Sequence, residues 1–202
     1  MSVLGCLRLG LLAAAAMVAT HPAAVSAQTA SAPPAAAQTP PAAERDGSHD
    51  FDFMIGTWKV WVKRLVKPLT GSTTWVEFEG RDVVTKVWDG KANLSEFTVH
   101  NAENKSSIQG VTLRLYNPKS RQWHLYWGNS ANGTIGVPTV GQFTNGRGEF
   151  YDQEEWEGRM IFVRYVWSDI TPTSAKFEQS FSIDGGKTWE PNWISTITRD
   201  TP

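Results

Sequence analysis

Gly56-Thr57-Trp58-Lys59-Val60-Trp61-Val62-Lys63 is the stretch that decides the fold class. Trp58, Val60 and Val62 fall on one side of an extended chain and Lys59, Trp61 and Lys63 on the other, which is the two-residue period of a strand with one buried face. The period returns at Val111, Leu113 and Leu115, which alternate with Thr112, Arg114 and Tyr116. Between such runs stand clusters of Gly, Asn, Asp or Pro, the punctuation of tight turns. Further strands are expected at 74–79, 82–88, 94–101, 122–127, 139–144, 148–153, 159–168, 175–183 and 193–199. No stretch after residue 50 sustains a helical stripe for three turns.

About ten strands joined in sequence order, with one apolar face each and no helices to cover a sheet, are best accommodated by closing the sheet on itself. The expected architecture is all-β, an antiparallel up-and-down barrel. A two-sheet sandwich satisfies the same patterning and is the alternative. The hairpin from Val111 to Trp127 has a register that matching faces would set. With Leu115 opposite Trp123, Leu113 meets Leu125 and Val111 meets Trp127, while Arg114 faces His124 and Thr112 faces Tyr126 on a polar-aromatic side.

Upstream of the strands the composition changes twice. Residues 1–27 carry one charge, Arg8, then the apolar run from Leu9 to Val18 and the small-residue sequence Val25-Ser26-Ala27. That is the layout of a cleaved export signal, too short for a comfortable membrane span, which needs about 20 residues. Residues 28–47 are rich in Ala, Pro, Thr, Ser and Gln and read as a disordered linker, leaving 48–202 as the barrel domain. Cleavage after Ala27 removes Cys6, the single cysteine, so the mature protein has no disulfide, no thiol nucleophile and no thiolate metal site. The expected location is secreted or periplasmic, with no membrane span after signal cleavage.

Charge excludes one class of partner. In 202 residues, 19 Lys and Arg nearly balance 20 Asp and Glu, without the basic excess that binds a phosphate backbone, so nucleic acid is not an expected partner. Nucleophile elbows, zincin helices and phosphate-binding Gly-rich loops are absent from the sequence. Catalytic residues, a metal site and a cofactor are therefore not expected. His49 beside Asp50 and Asp52 reads as caps and solvated charge, and Asp152, Glu154, Glu155 and Glu157 read as a solubilising loop around a Glu157-Gly158 turn.

Ser182-Ile183-Asp184-Gly185-Gly186-Lys187-Thr188-Trp189 is similar to the Asp-box of sialidase-type propellers. It occurs once, and a propeller needs repeats, so it reads as a tight hairpin turn organised by Asp184.

The two ends of the folded region carry a family resemblance. Phe51-Asp52-Phe53-Met54-Ile55-Gly56-Thr57-Trp58 at the start and Ser195-Thr196-Ile197-Thr198-Arg199 at the end resemble the calycins, the superfamily of lipocalins and fatty-acid-binding proteins. The resemblance implies that Gly56 and Trp58 open the first strand after a short helical plug, and that Arg199 packs over Trp58 as a closing clasp. More closely, Phe51-Asp52-Phe53, Leu113-Arg114-Leu115-Tyr116-Asn117-Pro118 and Trp167-Ser168-Asp169-Ile170-Thr171 resemble an uncharacterised bacterial lipocalin-like family, DUF1579, across most of residues 50–199. Gly56-Thr57-Trp58 is also similar to the opening of nitrobindin-type haem barrels. Those use a late His as iron ligand, and this chain has none after His124.

Ten tryptophans, all between Trp58 and Trp193, exceed what an ordinary core needs and suit an apolar ligand. With the resemblance, they imply a barrel that binds a small hydrophobic or amphipathic molecule. The expected pocket residues are Trp58, Trp75, Trp123, Trp127 and Trp193, with Arg114 and Tyr126 as anchors for a polar head if their face turns inward. The alternative is a calycin-type isomerase, cyclase or hydratase, whose acid or base would come from Glu77, Glu79, Glu178 or His124. Oligomeric state is left open.

Overall fold

A computed structural model describes residues 46–200 of the chain. The expected signal at 1–27, and the linker as far as residue 45, lie outside the described residues. The strands are β1 (Gly56–Leu65), β2 (Trp75–Val87), β3 (Ala92–His100), β4 (Ser107–Asn117), β5 (Gln122–Asn129), β6 (Thr134–Ile135), β7 (Thr139–Thr144), β8 (Arg147–Trp156), β9 (Arg159–Ser168), β10 (Ser174–Ser182) and β11 (Glu190–Arg199). Each long strand pairs antiparallel with the next in sequence. β4 joins β5, β5 joins β7, and β11 returns to β1, so ten strands form a closed up-and-down barrel with β6 a short addition on β5. Closure leaves no long unpaired edge, which solves the problem that a one-sided sheet without helices would otherwise have.

The expected strands at 74–79 and 82–88 are one strand, β2, running through Gly80 without a turn. The inward face of β1 carries Trp58, Val60 and Val62, all buried, as the opening alternation implies.

The hairpin β4–β5 corrects the expected register by one residue. Tyr116 lies opposite Trp123, Arg114 opposite Leu125 and Thr112 opposite Trp127, whereas Leu115 meets His124 and Leu113 meets Tyr126. A shift of one flips a strand's faces. Arg114 therefore points into the barrel and is 3% exposed, while Leu113 and Leu115 lie on the outer wall. The turn sets this register: Asn117 pairs with Gln122, and Arg121 closes the loop at φ 56°. Matching apolar faces could not overrule the loop length.

One end of the barrel is plugged. A single 3-10 turn, Asp52–Met54, carries Phe51 and Met54 inward to complete burial. Phe51 meets Trp123 and Phe143 edge-on at 5.2 and 5.0 Å between ring centroids, and also touches Phe150 and Trp167. The Arg199 guanidinium lies 3.8 Å from the centroid of the Trp58 ring and donates to the carbonyls of Ile55 at 2.6 Å and Phe53 at 2.8 Å. Trp58 Nε1 donates to the Met54 carbonyl. Gly56 is required here twice over: its φ is +117°, and a Cβ would come within 2.8 Å of Arg199 Nη1.

Candidate functional site

Beyond the plug the barrel holds a cavity of about 590 Å³ that reaches to the opposite end. Its mouth lies among the β1–β2, β5–β7, β8–β9 and β10–β11 connections, represented by Pro68, Val137, Trp156 and Asn192. The wall is aromatic and aliphatic: Phe97, Trp127, Tyr165, Phe177 and Trp193 stand around it with Val60, Leu125 and Ile197. Trp127 lies flat against β4 because Gly110 makes room, since a Cβ there would sit 2.2 Å from the indole edge.

Arg114 forms the inner polar end. Its Nη1 donates to Asn93 Oδ1 at 2.9 Å, its neighbour across β3–β4, and its guanidinium lies 5.2 Å from the Phe51 ring centroid and 5.8 Å from that of Trp167. Phe51, Arg114 and Trp167 come from the three stretches that carry the DUF1579 resemblance, and they meet at this one point. Burial pushes the Arg114 pKa down to about 10, opposed by attraction to Asp82, so the group stays charged at neutral pH. Asp82, buried in turn, is raised by desolvation and eased by Arg114 and by the hydroxyl of Ser95, which donates to its Oδ1. Arg114 Nε and the indole Nε1 of Trp167 have no hydrogen-bond partner among the described residues.

A second polar group lies on β8. Phe150, Asp152, Glu154 and Trp156 share its inward face, while Tyr151, Gln153 and Glu155 are exposed on the other. Asp152, Glu154 and Trp156 all line the cavity. This corrects the reading of Asp152 and Glu154 as part of a solubilising loop. Burial, and next the charge of Glu154, raise the Asp152 pKa from 3.8 to about 7, and burial raises Glu154. Tyr165 on the neighbouring β9 is pushed up by burial and by both carboxylates.

A third feature is a β-bulge. Gln179 faces Trp193 but Ser180 faces Pro191, so Asn192 is the extra residue of β11. The bulge turns Asn192 to the cavity, where it is 2% exposed and accepts from Gln179 Nε2 at 2.8 Å. Its own Nδ2 has no partner among the described residues.

Of the expected pocket residues, Arg114, Trp127 and Trp193 line this cavity. Trp58 and Trp123 are buried in the plugged end, with Trp123 Nε1 donating to the Gly47 carbonyl at 2.9 Å. Trp75 and Tyr126 belong to the outer face, because their strand neighbours Val76 and Leu125 take the inner one. Trp156 and Trp167 line the cavity without having been expected there. The four residues considered as an acid or base, Glu77, Glu79, Glu178 and His124, all sit on outward positions of their strands, with Glu178 bonded to Ser180 Oγ and 3.7 Å from Arg164. The Asp-box stretch is a turn, as expected: Asp184 accepts from the backbone of Lys187 and Thr188, and Trp189 packs on Tyr151 outside the barrel.

The fold has solved counterparts. The S-type phycobiliprotein lyase CPES from Guillardia theta superposes with a TM-score of 0.51 at 15% identity, covering 75% of this chain and 91% of that one. Rv2717c from M. tuberculosis superposes with a TM-score of 0.52 at 10% identity over 77% of this chain and 98% of that one. EF1p2_mFAP2b bound to DFHBI aligns with 11% identity and a TM-score of 0.41, covering 76% and 98%. The likeness to the lyase and to Rv2717c is one of fold, a lipocalin-like closed barrel. No protein-family model matches the sequence, and no curated protein matches it.

Proposed function

We propose that the protein is an exported lipocalin-like binder of a small hydrophobic or amphipathic molecule, held in the barrel cavity. One observation carries the reading: an aromatic-walled cavity of about 590 Å³ is lined by Arg114 and Trp167, whose Nε and Nε1 donors nothing in the described protein satisfies. Volumes of about 300 to 1,000 Å³ with a few convergent polar groups are typical of small-molecule sites. An unsatisfied buried donor costs about 1 to 3 kcal/mol, which a ligand acceptor would return. The apolar part of the ligand would lie against Phe97, Trp127, Phe177 and Trp193, with a carbonyl or hydroxyl oxygen toward Arg114. Export to a secreted or periplasmic location is supported by the layout of residues 1–27. Kinship with DUF1579 is proposed on the sequence likeness of Phe51-Asp52-Phe53, Leu113-Arg114-Leu115-Tyr116-Asn117-Pro118 and Trp167-Ser168-Asp169-Ile170-Thr171.

The test is titration with the neutral fluorescent probe N-phenyl-1-naphthylamine. Saturable probe enhancement with matching quenching of tryptophan emission is expected, and both should vanish in Thr112→Trp, which fills the cavity. A linear, non-saturating response in the wild-type protein would end the proposal.

A second reading, acid–base catalysis on the bound molecule, is favoured by Asp152, whose raised pKa places a proton acceptor inside the cavity near neutral pH. Native mass spectrometry of a copurified ligand, before and after incubation, separates the two: a carrier returns it unchanged, an isomerase, cyclase or hydratase does not.

A further inference from the structure

We infer that the molecule held in this cavity carries a basic amine, received by Asp152 and Glu154, together with a hydrogen-bond acceptor. The inference rests on the cavity-binding reading and adds the ligand's chemical class. It begins from the charges the barrel leaves unbalanced. Asp152 and Glu154, two residues apart on the inward face of β8, place two carboxylates side by side in a partly desolvated wall. Burial disfavours the charge of each, and no cation among the described residues acts on either to offset that cost.

The other charged groups around the cavity do not fill the role. Arg114, on β4, is offset by Asp82 on β2 and bonded to Asn93. Arg64, on β1, is exposed at the rim, Glu155 adds a further negative charge there, and Tyr165 on β9 is held neutral. Arg164, on β9, faces outward over Trp189 and toward Glu178. Two carboxylates elsewhere on the same barrel have close cationic partners: Glu149 bonds Arg147, and Asp200 bonds Arg81. The pair on β8 has no such partner among the described residues and faces the cavity, where Trp156 and Tyr165 also line the wall and aromatic rings can add to the binding of a cation.

Asn192 supplies an independent pointer to a ligand. It is 2% exposed, turned into the cavity by a bulge, and its Nδ2 donor is empty of any partner among the described residues. A bulge that re-aims an amide into a cavity is a feature sheets keep near sites. Its donor calls for an oxygen on the ligand, as do Arg114 Nε and Trp167 Nε1 deeper in. The class is therefore an apolar or aromatic amine bearing a hydroxyl or carbonyl group.

The experiment compares decylamine, decanol and decanoate, matched in chain length, by isothermal titration calorimetry on the purified protein. At pH 8 decylamine should bind at least tenfold more tightly than decanol, and decanoate more weakly than either. At pH 5.5, where Asp152 is protonated, the amine's advantage should fall below threefold. It should also disappear at pH 8 in Asp152→Asn/Glu154→Gln, with decanol binding retained as the control that the barrel is folded. Near pH 7, amine binding should release protons, read as a heat that varies with the buffer's ionisation enthalpy. Decanoate binding as tightly as decylamine, equal binding of decylamine and decanol, or an amine preference that survives in the double variant would each overturn the inference while leaving cavity binding intact. If none of the three compounds binds, the cavity reading falls and the inference with it.

Discussion

At the plugged end of the barrel, Trp58 Nε1, Trp123 Nε1 and the Arg199 guanidinium each reach a main-chain carbonyl, and Phe51 packs against aromatic rings from four strands. Toward the mouth, Asp152 Oδ1, Trp156 Nε1 and Asn192 Nδ2 are left without hydrogen-bond partners among the described residues, in a wall made of equally large side chains. Both ends use large aromatic and polar side chains, but the indoles and the guanidinium that fasten the plug are satisfied by main-chain carbonyls, whereas Arg114 Nε and Trp167 Nε1 behind the plug and the three atoms toward the mouth are not satisfied among the described residues. The difference separates two parts of the tube: the plug closes it and holds it shut, and the cavity keeps unspent hydrogen-bonding and electrostatic capacity, which under the proposed function a ligand takes up.

The contrast can be broken most severely at Phe51. Phe51→Ala should cost about 3 to 5 kcal/mol in urea unfolding, because a fully buried ring is lost from a close-packed cluster. Next is Arg199→Met, which keeps apolar length over Trp58 but strands the carbonyls of Phe53 and Ile55. A loss of about 2 to 3 kcal/mol is expected by the same measurement.

The mouth should answer with the opposite sign. Asp152 has a folded-state pKa above its ordinary value, so between about 4 and about 7 the folded protein holds a proton that the unfolded chain has released. Stability therefore falls as pH rises through that window. Asp152→Asn should gain about 1 kcal/mol at pH 8 after discounting for solvent screening, or about 2 to 4 °C in melting temperature, and nothing at pH 3. The smallest effect belongs to Tyr126→Phe on the outer wall, within about 0.5 kcal/mol and with probe binding unchanged. If Tyr126→Phe weakened the probe as much as Trp127→Ala does, the inner and outer faces of β5 would be misassigned.

The strands and the closure were legible because alternation survives in sequence: Trp58, Val60 and Val62 mark the inner face of β1 without ambiguity. The plug was legible through Gly56, Trp58 and Arg199, residues whose types follow from a tight approach and a stacked cation. The hairpin was misread because pairing Leu113 and Leu115 with tryptophans maximises apolar contact locally, whereas the turn from Asn117 to Gln122 dictates the pairing. That slip concealed Arg114. Asp152 and Glu154 were concealed by their charge, which reads as solvent-facing, although Phe150 and Trp156 flank them at the same parity and mark that face as internal. A buried acid or guanidinium runs against hydropathy, so the site lay where patterning is weakest.

The pairing of Trp58 with Arg199 has a temporal consequence. β1 is the first of the described strands to be made, yet one of its two neighbours is the last of them. Ring closure must therefore wait until β11 has been made, and its nucleation bears the entropy of a very long loop. Before β11 emerges, β1 has nothing to latch onto on that side, so the tube stays threadable until that strand arrives.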